Sequence, residues 1–217
     1  MTWRQVVLWR HGRTDWNVQG RAQGMTDVPL DDVGREQARS AAARLASLKP
    51  AFIWSSDLSR ARDTAGELAG LTGLDVRSEP RLREIRMGER EGLTQDDVRS
   101  RFPEVYQAWQ LGEDPPRAVG GEVDREVGER VAAVIGEAGA ALASGEVGVL
   151  VSHGVAIRTG LCRFLGLPEE HWHLFAGVSN CAWVVLSEWR RGWRIVDFNA
   201  GSLPEPVLSD DELAPES

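Results

Sequence analysis

Short apolar runs alternate with helical patterns along most of the chain. Buried strands are predicted at residues 6–9, 52–55 and 147–152, a weaker strand at 74–77, and a strand pair at 181–186 and 193–198. Amphipathic helices are predicted at residues 34–48, 122–143 and 154–165, and a further helix ends at Gly70. Strands that alternate with helices predict a doubly wound α/β fold, whose mostly parallel sheet is flanked by helices.

Two segments interrupt this alternation. Residues 13–33 contain Gly, Pro and several Asp without a clear period, so we expect a loop there. Residues 79–122 are rich in charge, Pro and Gly, and their aromatic residues recur at helical spacing. This predicts short helices that lie over the sheet edge as a lid insertion. We expect one domain at residues 1–200, followed by a loose acidic tail at 201–217.

Composition narrows the class of protein. The chain has 217 residues, 42% of them hydrophobic, and a net charge of -8, which argues against a nucleic-acid-binding protein. No apolar run reaches the length of about 18 residues that a transmembrane helix needs. The chain shows no secretion signal, so a cytoplasmic protein is expected. Cys162 and Cys181 are expected to be separate buried thiols in a reducing compartment.

The candidate chemistry follows the predicted strands. Arg10 and His11 follow the first strand, and His153 follows the strand at 147–152. Arg60 begins the helix after the second strand, which Ser56 or Asp57 is expected to cap, and Glu84 follows the third strand. Because parallel strands end at a shared edge, we expect these groups to converge.

Two arginines and two histidines at one edge suit phosphoryl transfer. Arg10 and Arg60 offer planar, charged forks for phosphate oxygens, and helix amides near Asp57 and Gly154 would add favourable dipoles. A neutral imidazole can attack phosphorus and form a covalent phosphohistidine. A protonated carboxyl such as Glu84 can then protonate the leaving alkoxide.

Each of these residues also has an ordinary structural interpretation. A histidine after a strand is more often packed in the core, Arg60 could be solvated, and Glu84 could be a surface carboxylate. His171 and His173 are expected in packing or surface roles. The joint pattern favours chemistry, because Arg-His-Gly and Ser-His-Gly each end a strand at opposite ends of the chain.

The residues that carry this pattern resemble a known family. The segment Leu8-Trp9-Arg10-His11-Gly12-Arg13-Thr14-Asp15-Trp16-Asn17 looks like the signature of the histidine phosphatase superfamily, in its phosphoglycerate mutase-like branch. The resemblance continues in family order to about residue 200, through the segments at 21–24, 30–34, 55–61, 82–84 and 151–154. It implies the phosphoglycerate mutase-like fold.

The resemblance also implies roles for individual residues. His11 would be the phosphorylated nucleophile, Glu84 the proton donor, and Arg10, Arg60 and His153 the ligands of the phosphoryl group. Two further groups would line the pocket, namely Asn17 and the backbone of Gln23 and Gly24. Neither a metal nor another cofactor is implied.

Three local segments refine the resemblance. The stretch 85–93 lacks the Tyr-Gly pair of mutases, so it looks like the phosphatase members. Val123 stands where the family's Gly-Gly-Glu-Ser has serine. The segment at 180–183 looks similar to actinobacterial glucosyl-3-phosphoglycerate phosphatases.

We therefore expect a metal-independent phosphomonoesterase that acts on a small phosphorylated metabolite. A cofactor-primed phosphoglycerate mutase is the alternative enzyme, and a non-catalytic module that binds phospho-ligands is a minor alternative. The expected partner is the substrate, without nucleic acid or membrane, and a homodimer is allowed.

Overall fold

The computed structural model describes residues 3–111 and 118–201. The expected tail, apart from Gly201, and the middle of the expected lid fall outside these residues. Among the described residues, the strands are β1 (Gln5–Arg10), β2 (Phe52–Ser55), β3 (Val76–Ser78), β4 (Val147–Ser152), β5 (Trp183–Trp189) and β6 (Gly192–Ala200). The α-helices are α1 (Asp15–Val18), α2 (Asp32–Ala46), α3 (Ser59–Thr72), α4 (Gln95–Arg101), α5 (Pro103–Gln110), α6 (Asp124–Ala141) and α7 (Gly154–Phe164). Short 3-10 turns lie at Pro80–Leu82, Gly88–Arg90 and Glu169–Leu174.

All six strands join one mixed sheet in the order β3-β2-β4-β1-β5-β6. β1, β2, β3 and β4 run parallel, whereas β5 and β6 are antiparallel to their neighbours. The strand nearest the start of the chain therefore lies between two strands from its second half. The predicted α/β fold with a mostly parallel sheet is confirmed.

The pleat of β1 divides its side chains between the two faces of the sheet. Val6 and Leu8 join the apolar cluster beneath α6 and α7, whereas Val7 and Trp9 join the cluster beneath α2 and α3. Because both faces are covered, β1 can be apolar at successive positions and still bury each side chain. This burial fixes the strand, and with it the position of the residues that follow.

The beginning of α3 differs from the sequence prediction. Neither Ser56 nor Asp57 caps the helix, whose N-cap residue is Leu58. The amide of Ser59 donates instead to a carboxylate oxygen of Asp27, at 2.7 Å. Asp57 is bound by Arg83, with 2.6 Å from Nε to Oδ1. A carboxylate from a distant loop thus satisfies the helix terminus, which sequence spacing does not reveal.

The two segments that interrupt the predicted alternation, residues 13–33 and 79–122, both contain helices. Residues 13–33 include the short helix α1, which begins with a capping box between Thr14 and Asn17. The expected lid contains α4 and α5, and its remaining described part is held in 3-10 turns and bends. Among the described residues, none of the helices has the length and apolar character that crossing a membrane requires.

Candidate active site

The predicted catalytic side chains meet at the carboxyl edge of the parallel strands. Arg10 is the last residue of β1 and His11 follows it, while His153 comes directly after β4. Arg60 lies in the first turn of α3, after β2. These four residues are at most 3% exposed. Arg60 is therefore a buried cation and does not lie on a solvated helix face.

His11 is held as a neutral imidazole. Its Nδ1 lies 2.7 Å from the carbonyl oxygen of Gly12, and a carbonyl only accepts, so Nδ1 carries the proton. Burial, together with the charges of Arg60 and Arg10, puts the pKa of His11 well below its ordinary value. The other ring nitrogen, Nε2, then keeps its lone pair. A desolvated imidazole between two guanidinium groups is suited to attack an anionic phosphoryl group.

His153 lies beside His11, with 5.0 Å between the ring centroids. Its Nδ1 accepts from Nε of Arg60 at 3.2 Å, so its proton lies on Nε2 and faces the hydroxyl of Ser56 at 2.9 Å. Burial and then the charge of Arg60 lower the pKa of His153, and a proton on His11 would lower it further. Both rings are thus neutral, and the positive charge of the site resides on the arginines.

Arg60 is fixed by backbone carbonyls of the loop that precedes α2. Its Nη1 donates to the oxygen of Thr26 and its Nη2 to that of Gly24, each at 2.8 Å. Glu91 holds this loop, since its carboxylate accepts from the amide of Met25 and from the hydroxyl of Thr26. Burial lowers the pKa of Arg60 to about 10, so the guanidinium stays charged at neutral pH.

Two glycines allow the loop after β1 to approach α2. A Cβ at Gly12 would lie 2.4 Å from the carbonyl oxygen of Gly34, and a Cβ at Gly34 would lie 2.0 Å from that of Arg13. The amide of Gly12 also donates to the hydroxyl of Thr64, at 3.1 Å, and that hydroxyl donates to the carbonyl of Arg60. The glycine after the nucleophile is therefore required by backbone contact.

Glu84 lies at the N-terminus of α7. Its carboxylate accepts from the amides of Ile85, Val155 and Ala156, at 2.9, 3.2 and 2.9 Å. We expected amides near Gly154 to add favourable dipoles at the phosphate site, and two of them, those of Val155 and Ala156, donate to Glu84. The N-terminus of α7, which directly follows His153, thus fixes the position of the Glu84 carboxylate through two of its amides.

The remaining predicted site residues differ in the contacts that they make. Arg10 donates from Nη1 to the carbonyl of Val178, at 2.6 Å. The side-chain oxygen of Asn17 accepts from the amide of Thr14 at 3.1 Å. Gln23 Oε1 is buried and has no hydrogen-bond partner among the described residues. Gly24 contributes its carbonyl to Arg60, as described above.

Sequence reasoning missed two polar neighbours of the histidines. Ser56 contacts His153, and the side-chain amide nitrogen of Asn180 donates to the backbone carbonyl of His11 at 3.2 Å. Asn180 also reaches the side-chain oxygen of Asn17, at 3.4 Å. The position of Ser56, directly after β2, was the available signal, because other site residues also follow strands.

Two histidines and two cysteines lie outside the site. His171 and His173 lie exposed in the 3-10 turn at Glu169–Leu174, as expected. Cys162 and Cys181 are buried and unpaired, which confirms the prediction of separate thiols. Within residues 3–111 and 118–201, no group of three His, Cys, Asp or Glu side chains is placed to hold a metal ion.

Comparisons with known proteins agree with this geometry. Residues 6–201 match the family model described as histidine phosphatase superfamily (branch 1). A glucosyl-3-phosphoglycerate phosphatase of Mycobacterium tuberculosis is 38% identical over 216 residues, which cover 92% of this chain and 96% of the relative. A probable phosphoglycerate mutase of Yersinia pestis is 37% identical over 178 residues, with 82% of each chain covered.

A solved structure is similar over nearly the same length. The mycobacterial glucosyl-3-phosphoglycerate phosphatase in complex with VO3 superimposes with a TM-score of 0.84 at 38% identity, covering 91% of this chain and all of that one. The family match, the relatives and the converging histidines and arginines lead to the same conclusion. The chain belongs to the histidine phosphatase superfamily, branch 1, and is a phosphatase of that superfamily.

Proposed function

We propose that this phosphatase hydrolyses the monophosphate ester of a small metabolite through a phosphohistidine at His11. The main supporting observation is the neutral, buried imidazole of His11. Its Nδ1–H donates to the carbonyl oxygen of Gly12, and its pKa is lowered by burial and by the charges of Arg60 and Arg10. Such a group is a nucleophile at neutral pH without prior deprotonation. Arg10, Arg60 and His153 bind the phosphoryl oxygens.

The reaction proceeds in two transfers. In the first, Nε2 of His11 bonds to phosphorus while the ester P–O bond breaks, and Glu84 gives its proton to the departing alkoxide. In the second, water attacks phosphorus, Glu84 takes a proton from that water, and the P–N bond breaks to release inorganic phosphate and restore His11. The mechanism requires no metal ion, and full activity in excess EDTA is the expected result.

The substrate we propose is a sugar phosphate or a phosphoglycerate ester. This is supported by the relatives that are named glucosyl-3-phosphoglycerate phosphatase and that cover nearly the whole chain. We propose that residues 79–122 act as a lid that selects the alcohol part of the ester. Asn17, Gln23 and Gly24 line the pocket beneath it.

The remaining proposals concern the setting of the enzyme. We place it in the cytoplasm, where its two buried, unpaired thiols would stay reduced. Its net charge of -8 supports a role without nucleic acid. Within the described residues β6 pairs with β5 alone, and an unpaired strand edge of this kind supports a homodimer. Sedimentation equilibrium distinguishes the dimer from the monomer.

Glu84→Gln tests the proposed mechanism. The change keeps the size of the side chain and removes its transferable proton, so kcat/KM for an alkyl phosphate should fall roughly 10²-fold or more. The loss on p-nitrophenyl phosphate should be distinctly smaller, because that leaving group is already stable as an anion. Glu170→Gln, an exposed carboxylate outside the proposed lid, is the control and should leave both rates unchanged. Equal losses on both substrates would remove Glu84 as the acid.

The similarity to a probable phosphoglycerate mutase supports one further assay. In a mutase, a phosphoglycerate hydroxyl takes the phosphoryl group from His11 in place of water. Release of inorganic phosphate from a phosphoglycerate ester, measured beside isomerisation of phosphoglycerate, separates the two activities. We expect release of phosphate to dominate.

A further inference from the structure

The backbone that carries Glu84 is held by side chains and not by a helix or strand. Residues 83–87 have no regular secondary structure, so their carbonyls lack the partners that a sheet or helix would provide. Even so, the carbonyls of residues 81–84 all accept hydrogen bonds. Ser152 donates to the carbonyl of Leu82 at 2.7 Å, and Arg130 binds the carbonyls of the other three.

Arg130 reaches this segment from α6. Its Nη1 donates to the carbonyls of Arg81 and Arg83, at 2.7 and 2.6 Å, and its Nη2 donates to that of Glu84, at 2.9 Å. A rigid guanidinium fork can bind several carbonyls at fixed angles, which a single ammonium group cannot do. Arg130 thus restrains the backbone on which the carboxylate of Glu84 depends.

Glu122 completes the arrangement. Its carboxylate accepts from Nε and Nη2 of Arg130, each at 3.0 Å, and from the amide of Arg86 at 2.9 Å. Burial favours the protonated form, but the hydrogen bonds from Arg130 and Arg86 outweigh it, and the pKa of Glu122 is lowered. The pair therefore binds the backbone on both sides of Glu84, through Arg83 and Arg86.

We propose that Arg130, oriented by Glu122, is a positioning residue for the proton donor. The inference rests on the proposed role of Glu84 as the acid. Within the described residues Arg130 makes no hydrogen bond to the histidines or to Arg60, and it holds the backbone of Glu84. Its charge is also the last of the causes that lower the pKa of His153, and Arg130→Lys preserves that charge. The loss of Arg130 should therefore impair the step in which a proton reaches the leaving group, and spare binding of the phosphoryl group.

Arg130→Met tests this proposal, because it keeps an apolar stem and removes every donor. We expect kcat/KM for glycerol phosphate to fall about 10-fold or more, since misplacement of a catalytic group by about 1 Å can cost up to about 10²-fold. The fall on p-nitrophenyl phosphate should stay within about 3-fold, because that leaving group needs little help from an acid. Arg130→Lys keeps the charge and loses the planar fork of donors. Its kcat/KM for glycerol phosphate should lie between those of Arg130→Met and the unmodified enzyme.

The control is Arg125→Met, an exposed arginine on the same helix, which should change neither rate. The decisive comparison uses the Glu84→Gln background, where no transferable proton remains to be positioned. There, Arg130→Met should cost less than about 2-fold on glycerol phosphate, because residues that act as a unit are not additive. If Arg130→Met does not fold, Arg130→Lys is measured in both backgrounds and carries the same expectation.

Two results would overturn the proposal, and they differ in what else they reject. In the first, Glu84→Gln lowers the rate more on glycerol phosphate than on p-nitrophenyl phosphate, but the Arg130 variants lower both rates equally, or reduce the rate of the Glu84→Gln enzyme by the same factor as that of the unmodified enzyme. Arg130 then has only a structural role. If Glu84→Gln itself lowers both rates equally, the assignment of Glu84 as the acid fails together with this inference.

Discussion

At the scale of single residues, the protonation state of the nucleophile is decided by its neighbours. His11 has two guanidinium groups nearby and almost no contact with water, and both conditions disfavour a charged ring. The charge of the arginines also attracts a phosphate dianion. The guanidinium groups that help to keep the imidazole neutral therefore also bring the substrate to it.

His11→Ala removes the nucleophile and should abolish turnover. Loss of a nucleophile costs several orders of magnitude in rate. The protein should still fold, because the ring contacts mainly polar groups of the site. The unmodified enzyme, quenched in base during turnover, should carry acid-labile phosphate that the variant lacks. His171→Ala, an exposed histidine, is the control and should turn over normally. Normal turnover by His11→Ala would reject the phosphohistidine.

The sequence identified those site residues that directly follow a predicted strand. His11 and His153 follow strands whose apolar runs are unambiguous, so their convergence could be predicted from the topology of a parallel sheet. Arg130 could not be found in this way, because it lies within an amphipathic helix and its partners are backbone carbonyls. Sequence periodicity identifies buried faces, but it says nothing about which carbonyls lack a partner.

At the scale of elements, the sequence predicted the interiors of strands and helices well and the ends of helices poorly. The strand at 147–152 was predicted with its observed bounds, since six consecutive buried residues leave little ambiguity. The helix predicted at 122–143 is shorter at both ends in the structure, because α6 spans Asp124–Ala141. Termini depend on capping partners that can come from distant residues, as Asp27 does for α3.

The start of α6 lacks half of a capping box. Glu126 accepts from the amide of Val123 at 3.1 Å, but valine has no side-chain oxygen to receive an amide of the first turn. Val123→Ser restores this acceptor. Relative to Val123→Ala, which shares the loss of the isopropyl group, we expect a free energy of unfolding about 0.5–1 kcal/mol higher. Urea denaturation measures the difference, and equal midpoints for Ser and Ala would contradict it.

At the scale of the whole molecule, the two buried histidines link stability to pH. Both have a folded-state pKa well below the ordinary value of 6.5, so below that pH the unfolded chain binds protons that the folded protein does not. Their contribution to stability is present above about pH 6.5 and is lost as the pH falls towards the folded-state pKa values. The free energy of unfolding of the enzyme without substrate should therefore decrease in mild acid.

We expect the free energy of unfolding to fall by up to about 1.4 kcal/mol per pH unit for each histidine below about pH 6.5. Urea midpoints at about pH 7.5 and about pH 5.5 measure the fall. The His11→Asn, His153→Asn double variant carries no titrating ring at these positions and should show a smaller one. An equal fall in the double variant would assign the pH dependence to other groups.

The central position of β1 has a consequence for the time at which activity can arise during synthesis. β1 leaves the ribosome before both of its neighbours in the sheet, because β4 and β5 belong to the second half of the sequence. At about 5–20 residues per second, β1 waits on the order of ten seconds for them, with both of its hydrogen-bonding edges unpaired. Until β4 arrives, His11 has no His153 beside it and remains an ordinary imidazole in water. We therefore expect nascent and truncated chains that lack β4, and with it His153, to be inactive.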